Sequence, residues 1–284
     1  MTLAEGEPAG QAADPAAGLA DAVRRPLSLF DVSDRIAVVT GASGAYGRTI
    51  SVALGALGCR LLLASGSKEP LEEVAGEAAR AGGTVETIVR RPHTWTDARE
   101  IVGAAVRAFG SPHMLVVASG LNQPSPIEEM EEASWQGVMD ANVRGPWLMA
   151  KAFSTAVGDE ARGRKVLFVS SVRGRLGNTV GYSAYCPSKG AVDALTRVLA
   201  TEWGARGITV NAIAPTVFRS TLTKWIYRDD ERGKAARARN VSRIPLGRLG
   251  EPEDLVGISV YLLSPASDFC TGQVIYVDGG YTAG

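Results

Sequence analysis

Short apolar runs alternate with longer amphipathic segments over most of this chain. The runs are rich in valine, isoleucine, leucine and alanine, a composition typical of strands that are buried on both faces. The pattern predicts seven strands, at Arg35–Thr40, Arg60–Ala64, Thr84–Val89, Met114–Ala118, Lys165–Ser170, Ile208–Ala214 and Gln273–Val277.

Helical periodicity fills the segments between these runs. The clearest example is an apolar stripe at Val192, Leu195, Leu199 and Trp203, which are spaced to lie on one face of a helix. Regular alternation of strand and helix implies a parallel sheet covered by helices on both faces. The sequence therefore predicts a single doubly wound, Rossmann-type α/β domain whose ligand binds beyond the carboxyl ends of the strands.

The length of 284 residues is sufficient for one well-buried core and does not require a second. Residues 1–27 are rich in alanine, glycine, proline and acidic side chains and show no periodicity. Such a segment buries too little apolar surface to offset the entropy of ordering, so we expect a disordered extension. The catalytic domain is predicted over residues 28–284.

Composition narrows the classes of function. Thirty basic and thirty acidic side chains cancel, which argues against nucleic acid as a partner. Three cysteines without close pairing and two histidines offer no metal site or disulfide framework. Because neither a signal peptide nor a membrane-spanning run is apparent, we expect a cytoplasmic protein without membrane contact.

A glycine-rich turn follows the first predicted strand, where residues 40–47 read TGASGAYG. Glycines allow the backbone to approach a pyrophosphate, and the next helix would present unpaired N–H groups to it. An ordinary tight turn between strand and helix is the alternative interpretation.

A second group of polar residues follows the fifth strand. Ser171 comes at its end, and Tyr185 and Lys189 open the helix described above. A spacing of four residues places the lysine beside the tyrosine on one helix face. A free phenol has a pKa of about 10, so a neighbouring positive charge is needed to make it an effective acid or base at neutral pH. A packing tyrosine at a helix start is the structural alternative.

Together these motifs resemble those of the short-chain dehydrogenase/reductase family, in particular its 3-oxoacyl reductase and gluconate 5-dehydrogenase-like members. The turn is similar to the family's T-G-x-x-x-G-x-G, and Tyr185 and Lys189 match its Y-x-x-x-K. The resemblance runs from about Val32 to Tyr281. It implies an NAD(P)(H)-dependent enzyme that interconverts a secondary alcohol and a ketone, a homotetramer, and a substrate lid at about residues 216–248.

The resemblance also implies roles for individual residues. The catalytic set would be Asn142, Ser171, Tyr185 and Lys189: the serine would hold the substrate oxygen, the tyrosine would transfer the proton, and the asparagine would anchor a relay water. The residues expected to bind the cofactor are Gly41, Ser43, Tyr46, Gly47, Ser65, Ser67, Lys68, Gly120, Asn142, Tyr185, Lys189, Phe218 and Ser220.

The end of the second strand bears on the choice of dinucleotide. Members that use NAD usually carry a carboxylate there, which would repel a 2′-phosphate. This chain has Ser65, followed by Ser67 and Lys68, which could donate hydrogen bonds to that phosphate. The arginine that NADP-dependent relatives often place next is replaced by Gly66. We therefore expect a preference for NADP(H), with NAD(H) as the alternative.

Several positions depart from the family pattern. Ala45 replaces the middle glycine of the turn, residues 117–120 read VASG in place of N-N-A-G, and Arg90-Arg91-Pro92 stands where an adenine-contacting aspartate is usual. These departures leave open a second class of function, a sensor or interaction protein that binds dinucleotide without turnover.

The substrate itself is not fixed by the sequence. Arg173 and Arg175 come just after Ser171, and the predicted lid region carries nine basic and three acidic residues between Arg219 and Arg248. An anionic substrate such as a sugar acid is one interpretation, and a solvated basic helix is the other.

Overall fold

The computed structural model describes residues 21–159, 161–179, 181–220 and 223–284. Seven strands form its sheet: β1 (Ile36–Thr40), β2 (Arg60–Ser65), β3 (Thr84–Val89), β4 (Met114–Val117), β5 (Arg164–Val169), β6 (Ile208–Pro215) and β7 (Val274–Val277). All seven pair in parallel, in the order β3-β2-β1-β4-β5-β6-β7. Each predicted strand is confirmed to within one residue at either end.

Eight α-helices connect the strands of the described chain or follow them: α1 (Ala45–Ala56), α2 (Lys68–Ala81), α3 (Trp95–Phe109), α4 (Glu132–Met139), α5 (Gly145–Val157), α6 (Tyr185–Trp203), α7 (Glu231–Val241) and α8 (Val256–Leu263). Short 3₁₀ segments lie between several of them, and a π-helical turn at Asp140–Arg144 joins α4 to α5. The predicted doubly wound α/β architecture is confirmed.

The sheet has an apolar core on each face because successive strand residues point in opposite directions. Val38 and Phe168 pack with α3, α5 and α6 on one face. Val39 and Leu167 pack with α1, α2 and α8 on the other. The apolar stripe predicted on α6 is confirmed in part: Val192, Leu199 and Trp203 are buried, whereas Leu195 is partly buried against the same core.

The strand order reverses at β1, which pairs with β2 on one side and β4 on the other. Connections therefore leave β1 and β4 in opposite directions, and a crevice opens beyond their carboxyl ends. The glycine-rich turn after Thr40 and the loop after Val117 form its two walls.

A third, smaller apolar cluster lies at this end of the sheet. It consists of Val172, Ile226, Ala236, Ile244, Leu249 and Tyr281. The cluster packs α7 and its flanking segments against the loop after β5, so the described part of the predicted lid region has an apolar base. Two residues of that region, 221 and 222, lie outside the described residues.

The predicted N-terminal extension lies largely outside the described residues. Its last described part, residues 21–24, is helical, and a 3₁₀ segment follows at Pro26–Phe30. Within the described ranges, no helix has both the length and the apolar character needed to span a bilayer.

Candidate active site

The glycine-rich turn lies directly against the loop after β4. Gly41 has a φ of +70°, and a Cβ atom at this residue would lie 2.6 Å from the Cα atom of Ser119. Only glycine therefore fits the conformation and the close approach. The turn brings the chain from the end of β1 into the first turn of α1.

The start of α1 provides uncapped backbone N–H groups. Its N-cap is Gly44, which has no side chain to satisfy them, and the first turn holds no acidic residue. Ala45, the alanine that replaces the family's middle glycine, is the first residue of this helix. A helix start of this kind suits the pyrophosphate of a dinucleotide, because its N–H groups and dipole favour negative charge.

Asn142 lies inside the π-helical turn and is fully buried. Its Oδ1 accepts a hydrogen bond from the backbone N–H of Leu121 at 2.7 Å, and its Nδ2 donates to the Leu121 carbonyl at 2.8 Å. The same Nδ2 donates to Ser188 Oγ at 2.9 Å. Asn142 thus ties the loop after β4 to the first turn of α6, and π-helical turns of this type are frequent at functional sites.

Lys189 is buried beside Tyr185 one turn along α6, as its spacing predicts. Its Nζ donates to the carbonyl oxygen of Val169 at 2.9 Å and lies 5.7 Å from the centre of the Tyr185 ring. A Cβ atom on Gly120 would lie 3.5 Å from the same Nζ and 3.4 Å from Asn142 Oδ1. The loop after β4, the π-helical turn and α6 therefore meet at one point.

The electrostatic environment of Tyr185 and Lys189 is set mainly by burial. Burial raises the pKa of Tyr185 to about 12, and the nearby Ser171 hydroxyl opposes this rise. Burial lowers the pKa of Lys189 to about 8, while the Asp193 carboxylate opposes that fall. At neutral pH the phenol is therefore protonated, whereas the lysine is close to its titration range.

Ser171 lies at the carboxyl end of β5 and is almost fully buried. Its Oγ accepts a hydrogen bond from the Arg173 N–H at 3.1 Å and donates to the Pro215 carbonyl at 3.5 Å. The long second bond leaves the hydroxyl available to a ligand oxygen. All four residues of the predicted catalytic set are thus brought to one edge of the sheet.

Asp193 is a buried residue of this region that the sequence reasoning missed. It follows Lys189 by one turn of α6, and its carboxylate accepts a hydrogen bond from Ser170 Oγ. Burial raises its pKa, whereas this bond and the charges of Arg197 and Lys189 lower it. The four-residue spacing from Lys189 was the available signal. Tyr182, in contrast, packs edge-to-face on Tyr185, with ring centres 5.8 Å apart.

The residues predicted to bind the adenosine end of the dinucleotide lie at the carboxyl end of β2. The hydroxyls of Ser43 and Ser65 are 2.5 Å apart, so the glycine-rich turn and β2 meet there. Ser67 is the N-cap of α2. The exposed Lys68 Nζ lies 3.7 Å from the carboxylate of Glu72 on the same helix. These side chains border one surface beyond the sheet.

Two predicted cofactor residues lie at the other end of the crevice. The Phe218 ring packs edge-to-face on Tyr46 at a centre distance of 5.7 Å, so the segment after β6 covers the glycine-rich turn. The backbone N–H of Ser220 donates to Thr223 Oγ1 at 2.9 Å, and the two hydroxyls are 3.0 Å apart. Gly47 is buried in the first turn of α1 below them.

Comparison with known proteins agrees with this geometry. A family model described as enoyl-(acyl carrier protein) reductase matches residues 41–282. The chain belongs to the short-chain dehydrogenase/reductase family. It is 49% identical over 257 residues to an uncharacterized oxidoreductase of Mycobacterium tuberculosis, covering 90% of this chain and 94% of that protein.

Relatives with named activities are more distant. Gluconate 5-dehydrogenase of Gluconobacter oxydans is 32% identical, with 89% of this chain and 97% of that protein covered. A 3-alpha-(or 20-beta)-hydroxysteroid dehydrogenase of M. tuberculosis is 33% identical over 88% of this chain and 90% of its own length.

Among solved structures, a protein of Agrobacterium tumefaciens, provisionally named 2-deoxy-D-gluconate 3-dehydrogenase, has NADP bound. It superposes with a TM-score of 0.80 at 32% identity and covers 90% of this chain and 99% of its own. The chain is therefore an oxidoreductase of the type that uses NAD(P) and acts on alcohol groups.

Replacing Asn142 tests the hydrogen bonds that hold these elements together. Asn142→Ala leaves both backbone groups of Leu121 without their side-chain partner, so we expect the free energy of unfolding to fall by about 1–3 kcal/mol. Denaturant titration followed by circular dichroism measures this loss. Ser188→Ala is a comparison variant, which removes one of the three bonds to Asn142 together with the bond that Ser188 Oγ donates to the Tyr185 carbonyl. An unchanged free energy of unfolding in Asn142→Ala would show that the bonds from Asn142 to Leu121 and Ser188 contribute little.

Proposed function

We propose that the protein interconverts a secondary alcohol and a ketone by hydride transfer, with Tyr185 as the general acid and base. The observation that carries this proposal is the convergence of Ser171, Tyr185, Lys189 and Asn142 at one edge of the sheet, next to a turn suited to a dinucleotide. When bound, the nicotinamide supplies or accepts the hydride.

Each side chain has a distinct part in the proposed mechanism. The Ser171 hydroxyl orients the substrate oxygen toward the Tyr185 phenol. In reduction, the phenol donates its proton to that oxygen, a step suited to a group whose pKa of about 12 keeps it protonated. In oxidation, the phenol must lose its proton before it can accept one, and the buried positive charge of Lys189 assists that loss.

Asn142 and Lys189 complete the proton path in this proposal. Asn142 is held by Leu121 and Ser188, so its backbone has a fixed position beside Lys189 at which a relay water could bind. The ammonium of Lys189 would also hold the ribose hydroxyls next to the nicotinamide. Its pKa of about 8 places it near the range in which a proton can be passed on.

Substituting Tyr185 tests the function directly. Tyr185→Phe removes only the ionisable oxygen, so we expect the fold and dinucleotide binding to be retained while turnover falls by at least about 10³-fold. Absorbance of reduced nicotinamide measures the rate, and fluorescence titration measures binding. Tyr182→Phe is the matched control, since its ring packs on Tyr185. A Tyr185→Phe rate near that of the parent protein would refute the assignment.

A dinucleotide-binding sensor without turnover is the second candidate. It is favoured by the departures from the family pattern in the loop after β4, where Ser119 Oγ and Asn122 Oδ1 are buried without a hydrogen-bond partner among the described residues. A sensor would bind dinucleotide but turn over no alcohol or ketone in a broad screen. Its dinucleotide binding would be unchanged by Tyr185→Phe. The same titration and screen therefore distinguish the two candidates.

We propose an anionic substrate, such as a sugar acid, on the basis of Arg173. Its guanidinium lies between the rings of Tyr182 and Tyr281, at 6.0 and 5.7 Å from their centres, and donates to the Tyr281 hydroxyl at 3.2 Å. These contacts hold a positive charge close enough to Tyr185 to oppose the rise in pKa that burial of the phenol causes. Arg175 instead lies over the Tyr276 ring, 5.8 Å from its centre.

A substrate screen tests this proposal. Sugar acids, neutral polyols, steroid alcohols and acyl thioesters are assayed with both dinucleotides, and we expect the highest kcat/KM for a sugar acid. Arg173→Ala should raise the KM for that substrate by about tenfold or more, because a hydrogen-bonded charge is lost. Arg175→Ala is the matched control. Activity confined to uncharged alcohols and ketones would contradict the proposal.

We also propose a preference for NADP(H). The position where a carboxylate would repel a 2′-phosphate is Ser65, whose hydroxyl meets that of Ser43, and Ser67 and Lys68 follow it at the start of α2. NADPH should bind more tightly than NADH in fluorescence titration. Lys68→Ala should weaken NADPH alone, and only modestly, because this exposed ammonium is shared with Glu72. Equal dissociation constants for the two dinucleotides would contradict the preference.

A homotetramer is the assembly we propose. An apolar groove of about 560 Å³ between the π-helical turn, α5 and α6 is lined by Val143, Trp147, Leu195 and Val198. Trp147 and Val198 are exposed in the single chain, and the Phe269 side chain, just before β7, is exposed as well. An exposed apolar groove between helices favours association with further copies of the chain, and symmetric contacts of this kind build a homotetramer.

A further inference from the structure

A guanidinium from the loop after β3 lies where the resemblance places an arginine side chain from the end of β2. Residue 66 is glycine, so it has no side chain of its own. A Cβ atom built on Gly66 would overlap Nε of Arg91 and lie 2.7 Å from its Cζ and 2.9 Å from its Cδ. The side chain of Arg91 therefore fills the space directly above the Gly66 backbone.

The parallel register of β2 and β3 explains this placement. Ser65 pairs with Val89, and the backbone N–H of Arg90 donates to the Ser65 carbonyl at 2.8 Å. The register sets Arg90 level with Gly66, and Arg91 is the residue that follows, so its side chain is within reach of the Gly66 backbone. Because Gly66 has no Cβ, the Arg91 side chain can extend from the loop after β3 over the end of β2.

The two neighbouring arginines differ in their partners. Arg90 NH1 lies 2.7 Å from the Asp97 carboxylate, and its NH2 lies 2.7 Å from that of Glu100, so its charge is neutralised within the protein. Arg91 is exposed, and its side chain has no hydrogen bond or ion pair with any described residue. Of the two, only Arg91 has its donors available to a ligand.

We infer that Arg91 is the residue that selects NADP(H) over NAD(H), by binding the 2′-phosphate of the adenosine ribose. The inference rests on the proposed cofactor site and names the side chain that would distinguish the two dinucleotides. Its guanidinium lies over Gly66, the residue after Ser65, and the Ser65 hydroxyl meets that of Ser43. A phosphate at this point could bind a charged guanidinium together with neutral hydroxyl donors. Arginine suits phosphate because two parallel N–H groups bond two of its oxygens.

Lys68 is the weaker of the two cations at this surface. Its Nζ lies 3.7 Å from Glu72, and both side chains are largely exposed, so part of its charge is already compensated and screened by solvent. Arg91 has no such described partner. The phosphate selectivity should therefore depend far more on Arg91 than on Lys68.

The experiment compares dinucleotides and their adenosine fragments on the full-length protein. Dissociation constants for NADPH and NADH are measured by fluorescence titration, and those for 2′,5′-ADP and 5′-AMP by competition. Arg91→Ala should weaken NADPH and 2′,5′-ADP by about 10- to 100-fold, the loss typical of charge-assisted hydrogen bonds. NADH and 5′-AMP should change by less than about threefold.

Three further variants sharpen the result. Arg90→Ala is the matched control, and it should leave the ratio of the NADPH and NADH dissociation constants unchanged. Lys68→Ala should change that ratio less than Arg91→Ala does. Gly66→Arg combined with Arg91→Ala should restore much of the NADPH affinity, because the new side chain enters the same space from β2. Circular dichroism verifies that each variant is folded.

The outcomes separate this inference from the proposed function. Equal losses for the phosphorylated and unphosphorylated ligands would show that Arg91 contacts a part common to both, and an unchanged ratio would show that it does not read the phosphate. Either result overturns the inference while hydride transfer stands. If the parent protein binds neither dinucleotide, both the inference and the proposed oxidoreductase function fail.

Discussion

The common direction of all seven strands is the constraint on which the rest of the site depends. In a parallel sheet every strand ends at the same edge, so the loops that follow β1, β2, β4 and β5 must meet there. The glycine-rich turn, the serine-rich end of β2, Gly120 and Ser171 are far apart along the chain, yet all lie on this edge. The reversal of strand order at β1 adds the crevice between them.

Burial of Lys189 links the architecture of the sheet to its chemistry. An ammonium in a dry environment is unfavourable unless polar groups surround it. Here the carbonyl of Val169, at the end of β5, accepts its hydrogen bond, and the Asp193 carboxylate supplies a compensating charge from the next turn of α6. Helix α6 must therefore pack tightly against the end of β5, and that packing also fixes Tyr185 at the helix start.

Most of the fold follows from local patterns that the sequence displays. Each strand is a short run of buried residues, and this pattern is sufficient because both faces of a parallel sheet are covered. The pairing of Tyr185 with Lys189 is equally local, since it depends only on helical spacing. What could not be predicted depends on contacts across the chain. The bonds from Asn142 to Leu121 and Ser188 require the π-helical turn, which has no simple sequence pattern.

The same distinction explains the end of β2. Along the sequence, glycine replaces the expected arginine at residue 66, and an unusual pair of arginines follows β3. These are two separate departures from the family pattern. In the sheet the two are neighbours: parallel pairing of Ser65 with Val89 brings the segment that carries Arg91 alongside the end of β2, and the absent Cβ of Gly66 provides the space for the Arg91 guanidinium. A side chain that is missing at the end of one strand can therefore be supplied from the segment after the neighbouring strand. Strand pairing, and not distance along the sequence, determines which side chains lie close together. The two departures are then complementary parts of one local arrangement, because the guanidinium requires glycine beside it.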